Sequence, residues 1–353
     1  MSRTVAVGLS GGVDSSTAAV LLLEQGYEVV GVTMRHLPGD STNSCCSLEA
    51  IVDARKVAKK LGIAHYLVDV EAPFYERVMA PFEAAYLMGR TPNPCALCNR
   101  HIKFGAMWDW AHSRGAEFLA TGHYARILPG GDGYRLLRGH DRQKDQSYLM
   151  YTLGQNDLAH LLFPLGHLTK AESRAIAADH GLVTAAKADS QELCFVPRND
   201  YAAYLREHRP EAEKPGDVVD TGGHVLGRHR GIAFYTVGQR RGLGISAPAP
   251  QYVVRLDPER NQVVVGPHEA VEVREVWVDD VNYIAGREPG RDVGGAVKIR
   301  YNMEPQPARW MALGQGARVR FEDAQWAASP GQVAVLYQGE VLLGGGRIHP
   351  PTN

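Results

Sequence analysis

The sequence has no apolar run near the roughly 18–20 residues that a membrane-crossing helix requires, which argues against an integral helical membrane protein. It is poor in cysteine, with five in 353 residues, too few for a disulfide scaffold; a chain this long fills two or three cores without one. It has almost no charge surplus, because 38 Lys+Arg stand against 39 Asp+Glu. That balance excludes an acidic disordered tail, and the composition excludes a collagen-like chain. It leaves nucleic-acid binding open, since binding follows local patches and not the sum. Internal repeats and low-complexity tracts are missing as well. The opening MSRTVAVGLS runs straight into a strand-like segment without a basic-then-apolar leader, so a reducing, cytoplasmic setting is expected.

What is present is an alternation. β-rich runs at 5–9, 28–34, 65–70 and 117–123 are separated by helical patterns, including 15–24 and 48–61. In the latter, Leu48, Ile51, Ala54, Val57, Ala58 and Leu61 recur every three to four residues. Strands spaced by such helices read as βαβ units on a parallel sheet. Thr169 and Glu172 form a capping box opening a helix that ends near Gly181. The texture changes near residue 200. A short helix at 201–208 leads into Pro/Gly-punctuated short strands, with a turn at 221–223 and a hairpin pairing 251–256 with 262–265. From Val271 onward strands recur without helices, the signature of a small barrel or sandwich. The expected plan is an α/β domain over 1–200, a connector module over 201–268 and a β-domain over 269–353.

The segment SGGVDSS, 10–16, lies between the first strand and the first helix. Its glycines let backbone N–H groups approach an anion, and the helix N-terminus adds positive dipole. Ser10, Ser15 and Ser16 add hydroxyls. The loop lacks the Lys of a Walker GxxxxGKS/T and the spacing of GxGxxG. The blander alternative is a glycine turn with Ser and Asp capping the helix. In its context the loop resembles that of the PP-loop ATP pyrophosphatases. The resemblance implies that Gly8, Leu9, Ser10, Gly11, Gly12, Val13, Asp14 and Ser15 hold ATP, with Asp14 positioning Mg2+ and the phosphates. Met34 and Gly122 match the family's adenosine-contacting positions. It also implies cleavage between the α and β phosphates and adenylation of a substrate oxygen.

Cys95 and Cys98 form a CxxC in TPNPCALCN, read as a Pro-stiffened loop ahead of a helix near His101; Cys194 lies far off in DSQELCF. CxxC alone serves zinc, redox pairs and clusters equally, and His101 or His123 would complete a tetrahedral zinc site. The longer blocks are more specific. RTPNPxxxCNxxIKF, ATGHYAR, LLRGxDxxKDQSYxxYTL, DSxxxCF, TVGQRRGLGI and SPGQVAVLYQGEVLLGGG are similar to the bacterial tRNA-specific 2-thiouridylases, across essentially the whole chain. The resemblance implies a PP-loop domain, a connector and a C-terminal β-barrel. It also implies replacement of the wobble uridine C2 oxygen by sulfur, with Cys194 as persulfide carrier and Cys98 its partner. One position departs: the commoner pattern is TPNPDxxCN, with Asp where this chain has Cys95. Three cysteines instead resemble the tRNA thiolases that bind a 4Fe-4S cluster through three thiolates, leaving one iron open for sulfide. Thiolates suit iron–sulfur clusters and zinc and offer nothing to magnesium. The cluster is therefore the favoured expectation and the persulfide relay the alternative. Either needs a sulfur donor: sulfide, a cysteine desulfurase or a relay protein. Cys45 and Cys46 are adjacent, poor joint ligands for one metal, and read as semi-buried thiols.

Residues 227–243 contain Arg228, Arg230, Arg240 and Arg241 and no acid. Residues 295–321 carry Lys298, Arg300, Arg309, Arg318 and Arg320 against Glu304, with Tyr301 and Trp310 interleaved. Arginine forks and aromatic faces suit phosphates and splayed bases, although taken alone such stretches read as solvated β-surface. The resemblance assigns contacts with tRNA, whose anticodon loop is the expected partner, or with the target base to Asn93, Pro94, Cys95, His123, Lys144, Asp145, Gln146, Arg300, Tyr301 and Gln332. Two rivals remain: another PP-loop amidotransferase or ligase, and a nucleotide-regulated RNA-binding module with structural thiols.

Overall fold

The computed structural model describes residues 3–37, 47–188 and 193–349; Cys45, Cys46 and the first four residues of the DSxxxCF block lie outside them. β1 (Thr4–Gly8) is a buried apolar strand flanked in parallel by β2 (Glu28–Arg35) and β4 (Phe118–Ala120). β3 (Ala64–Asp69) continues the sheet beyond β2. Helix α1 (Val13–Glu24) follows β1 and is buried on most of its surface. α2 (Leu48–Leu61) is amphipathic; Ser47 caps it by accepting from the Ala50 amide at 3.2 Å, and Gly62 closes it at φ 70°. The chain runs β1 to β3 in one direction and returns to place β4 on the other side of β1. Ligands bind at the carboxyl ends of such a switch point, here between residue 9 and residue 121.

Two expectations need correcting. The strand expected at 117–123 stops at Ala120, because Thr121 and His123 turn to bond each other, Thr121 Oγ1 to Nδ1 at 2.6 Å. The CxxC is not in a loop. Pro94–Cys98 is helical, with Asn93 Oδ1 accepting from the Ala96 amide at 3.2 Å and Pro94 at the first helical position, where its missing N–H costs nothing. The helix widens through π-type turns at Asn99–Ala106 before Met107–His112.

A hairpin not expected from the sequence, β5 (Ala125–Gly130) and β6 (Gly133–Arg138), follows β4; the short β7 (Leu161–Leu162) then completes the parallel sheet. The central module orders β8 (Gly216–Asp220), β9 (Val225–His229), β10 (Tyr252–Asp257) and β11 (Gln262–Gly266) as β10-β11-β8-β9. Its β10–β11 hairpin is antiparallel, as the turn residues 257–261 imply. Six further strands are β12 (Glu272–Tyr283), β13 (Asp292–Lys298), β14 (Gln306–Leu313), β15 (Gly316–Trp326), β16 (Val333–Gln338) and β17 (Val341–Ile348). They pair as β12-β15-β14-β13-β16-β17, and β17 returns to β12. The sheet therefore closes into a barrel and leaves no ring edge, around a core that includes Trp310, Val297, Val319 and Leu336.

The parts are joined through specific contacts. β6 adds to β17, with Val341 opposite Leu137. Gln332 Nε2 donates to the carbonyls of Thr91 (3.1 Å) and Pro92 (3.3 Å), while the Thr91 amide donates to the Pro330 carbonyl at 2.7 Å. The barrel thus grips the segment leading into the CxxC helix. Glu83, only 1% exposed, accepts from Tyr204 Oη at 2.7 Å and Arg209 Nε at 2.8 Å, tying the 201–208 helix to the first domain. Among the described residues no helix is long and apolar enough to cross a membrane. Replacing Glu83 by Ala strands the Tyr204 hydroxyl and should cost about 1–3 kcal/mol, read as a lowered urea midpoint of the full chain. An unchanged midpoint would show that apolar packing alone holds this junction.

Candidate functional site

The loop after β1 is shaped by its own hydrogen bonds. Ser15 Oγ accepts from the Ser10 amide at 3.1 Å and donates to the Gly12 carbonyl at 3.1 Å, and Ser16 Oγ donates to that carbonyl at 2.8 Å. Gly11 has φ +68°, and a Cβ there would stand 2.2 Å from the Ala50 carbonyl oxygen. Gly12 caps α1 with no side chain, leaving its first N–H groups for an anion. The side chains of Leu9 and Val13 point into apolar cores, so these residues offer only backbone to a ligand. Gly122 packs directly on the loop: a Cβ on it would lie 2.6 Å from the Asp14 carbonyl carbon and 2.7 Å from the Ser15 nitrogen. Met34 is half-buried at the far end of β2, and Gly8 ends β1.

Asp14 does not cap the helix. Its two oxygens accept from Lys170 Nζ at 2.7 and 2.8 Å, and Oδ1 also accepts from Tyr124 Oη at 2.8 Å. Burial, reinforced by the Asp14 charge, raises the Tyr124 hydroxyl well above its ordinary value and keeps it a donor. Tyr124 Oη also lies 3.0 Å from Ser173 Oγ, so the helix Lys170–Asp179 is docked on the loop. Lys170 and Tyr124 were not legible as site residues. The only signal for Lys170 is the capping box, which fixes it as the first residue of its helix.

His123 is interior, between the rings of Phe104 and Phe163, with Nε2 3.3 Å from Lys103 Nζ. Burial and then the Lys103 charge push its pKa well below the ordinary value, so the ring is neutral at neutral pH. If the Lys103 ammonium donates to Nε2, the ring proton sits on Nδ1, facing Thr121.

Cys95 is exposed, while Cys98 and Cys194 are half-buried against the same large core. Three thiolates are apt donors for an iron–sulfur cluster, and Cys–His sets for zinc. Among the described residues, however, no three His, Cys, Asp or Glu side chains are gathered as a metal site. Adjoining the CxxC helix is the turn Ser147–Met150, which carries Tyr148. Tyr148 and Tyr301 have ring centroids 6.2 Å apart. The Tyr301 hydroxyl is pushed up to about 12 by burial, with Asp145 and Cys95 adding.

Of the segment 144–146, Lys144 is half-buried and the other two residues serve the framework. Asp145 accepts from Arg138 Nε (2.9 Å) and from the Gly139 (3.0 Å) and Ser147 (3.1 Å) amides. Gln146 Oε1 accepts from the Tyr124 amide at 3.0 Å. The Arg300 Nε is buried with no hydrogen-bond partner among the described residues. Arg309 and Arg318 are paired across strands with Asp292 (2.8 Å) and Glu275 (2.6 Å). Those acids lie outside the stretch that reads as basic in the sequence, so the barrel's basic face narrows. Arg230, Arg240 and Arg241 on the connector are exposed. Gly122→Ala should force the loop at Asp14–Ser15 away from the turn that carries residue 122 and lower ATP affinity at least about tenfold, a 1.4 kcal/mol effect, with circular dichroism unchanged. Wild-type affinity in a titration would show that the loop tolerates the displacement.

Three family models match the chain in series: a tRNA methyl transferase HUP domain over residues 3–198, a tRNA methyl transferase PRC-barrel domain over 202–267 and an aminomethyltransferase beta-barrel domain over 273–348. The chain is 49% identical over 351 residues to the tRNA-specific 2-thiouridylase MnmA of Moorella thermoacetica, covering 97% of this chain and 98% of that protein. It is 47% identical over 355 residues to the protein of the same name from Carboxydothermus hydrogenoformans, covering 98% and 97%. Among solved structures, the U34-tRNA thiolase NcsA from Methanococcus maripaludis, with its 4Fe-4S cluster, matches at 19% identity and TM-score 0.36 over 59% of this chain and 67% of that one. By the near full-length matches, this chain, with its parallel-sheet domain, connector and closed barrel, belongs to the tRNA-specific 2-thiouridylase family.

Proposed function

We propose that the chain is an ATP-dependent tRNA-uridine 2-sulfurtransferase acting on an anticodon-loop uridine. The observation that carries this reading is the continuity from loop to aromatic patch: Asp14 bonds Tyr124, Gln146 holds the Tyr124 amide, and Asp145 holds the turn that leads to Tyr148. An ATP end and an RNA end are thereby held by one short polar path. In this reading residues 1–200 carry ATP and the thiols, 201–268 orient the RNA, and 269–353 grip both. A cytoplasmic, reducing setting fits cysteines used as nucleophiles.

The backbone donors of Gly11 and Gly12 and the N-terminus of α1 take the departing phosphates. Asp14 fits Mg2+ as a hard oxygen ligand beside them, and the bound ion would neutralise phosphate charge. Lys170 supplies the ammonium that the loop itself lacks. Uridine O2 attacks the α-phosphorus, the α–β bond breaks and pyrophosphate leaves. The C2–O bond now ends in AMP, a far better leaving group than a carbonyl oxygen. The terminal sulfur of a Cys194 persulfide attacks C2, and AMP departs carrying O2. Cys98 thiolate then attacks the Cys194 sulfur, which releases 2-thiouridine and leaves a Cys98–Cys194 disulfide. An external thiol reduces that disulfide, and a sulfur donor recharges Cys194.

The cluster reading rests on Cys95 being a thiol where the commoner pattern has a carboxylate. Cys95, Cys98 and Cys194 would hold such a cluster, but among the described residues no three ligands are gathered, which favours the persulfide relay. Methyl transfer, the group named by two of the family models, would use neither an ATP loop nor a CxxC.

The test is an anaerobic assay of iron-free and cluster-reconstituted protein with ATP, tRNA and sulfur donor. The reading expects 2-thiouridine from the iron-free form given a persulfide donor, abolished in Cys98→Ala and Cys194→Ala. Product that survives both substitutions would overturn it, and activity confined to the iron-loaded form would favour the cluster. ATP consumption independent of tRNA would favour another PP-loop activity. Lys170→Met should lower tRNA-dependent pyrophosphate release by about a hundredfold, as for loss of one preorganised charge-stabilising donor. An unchanged release rate would remove Lys170 from the reaction.

A further inference from the structure

Lys298, the last residue of β13, is only 4% exposed. Its ammonium lies 5.5 Å from the ring centroids of both Tyr148 and Tyr301. Among the described residues it makes neither hydrogen bond nor ion pair. The acids nearest in charge are already engaged: Asp145 by Arg138 and two amides, and Glu304 by Arg138 at 2.8 Å. Burial lowers the Lys298 pKa accordingly. A desolvated ammonium without an acceptor is costly, and buried polar groups are normally satisfied. Cation–π attraction to two rings offsets part of that cost but supplies no acceptor. The chain thus offers this ammonium two ring faces and no oxygen, and its Nζ is open to an acceptor from outside.

We propose that Lys298 reads the target base, donating to uracil O4 when the base lies against Tyr301. This rests on the thiolation reading and deepens it. Tyr301 is 39% exposed and presents its ring beside the buried ammonium. An unstacked base takes an aromatic face and a donor at its edge in this way. The Tyr301 hydroxyl also lies within electrostatic reach of Cys95 on the CxxC helix. O4 is the assigned partner because O2 must stay free to attack phosphorus, and an ammonium on O2 would compete for its electrons. A donor-only side chain at O4 also rejects cytosine, whose amino group there is itself a donor. A backbone phosphate suits the niche less well, because so enclosed a site would strip a full anion of its water.

The test uses anticodon stem-loop RNA carrying either uridine or 2-pyrimidinone ribonucleoside, which lacks O4, at the modified position. Direct binding to the full chain, and adenylation with ATP, are both measured. The wild type should prefer uridine by about tenfold or more, and Lys298→Met should lose that preference while binding ATP normally, which shows that it folds. The same preference retained in Lys298→Met would overturn the proposal. So would a fall of about one in the slope of log affinity against log salt, the mark of a lost phosphate contact. Discrimination that depends on Lys298, in a wild type that forms no 2-thiouridine, would instead sink the functional reading and leave the base contact standing.

Discussion

An anion-binding loop that carries a carboxylate in its own sequence works only if that carboxylate is held in check. Asp14 is held by the Lys170 ammonium on both oxygens and by the Tyr124 hydroxyl on one. The pair lies partly buried, with side-chain exposures of 13% and 33%, where charge interactions are screened less than at the surface. It joins three segments far apart in sequence: the loop after β1, the turn after β4 and the helix Lys170–Asp179. When phosphates arrive, an ammonium and a metal-binding carboxylate are already side by side. No residue of the loop itself could provide the positive member, since SGGVDSS contains no cation.

The second half of the site depends on that junction and on the barrel. Tyr124 is fixed at its hydroxyl by Asp14 and at its amide by Gln146. Arg138, at the end of β6, bridges Asp145 to Glu304, so the hairpin β5–β6 carries the alignment into the barrel. From the other side Gln332 and Pro330 grip Thr91 and Pro92, just ahead of the CxxC helix. Closure of the barrel makes this grip firm, because every strand of the ring has neighbours on both sides. Cys95, Tyr148, Tyr301 and Lys298 thus meet at a seam built by residues from both ends of the chain.

Much of this was legible from local pattern. The period of α2, the strand-loop-helix setting of SGGVDSS, the 257–261 hairpin turn and the helix-free run of strands after Val271 each reflect short-range physics, and each gave the correct element. What escaped was set by distance in sequence. Lys170 is an ordinary first-turn residue until the fold brings it to Asp14. Arg309 and Arg318 read as basic surface because Asp292 and Glu275 become their partners only across strands. Cys95 and Cys98 read as loop because two prolines dominate the segment, yet one sits where a helix tolerates proline and Asn93 supplies the cap. The resemblance to thiouridylases supplied the roles of individual residues, which periodicity and composition do not carry.

The central claim is that the uridine oxygen itself is adenylated before sulfur arrives. Its most direct test is the fate of that oxygen, with RNA carrying oxygen-18 at C2 of the target uridine turned over with unlabelled ATP in a single-turnover reaction. Mass spectrometry of the nucleotide products should find one oxygen-18 in AMP and none in pyrophosphate. Unlabelled AMP, formed alongside 2-thiouridine, would contradict the account.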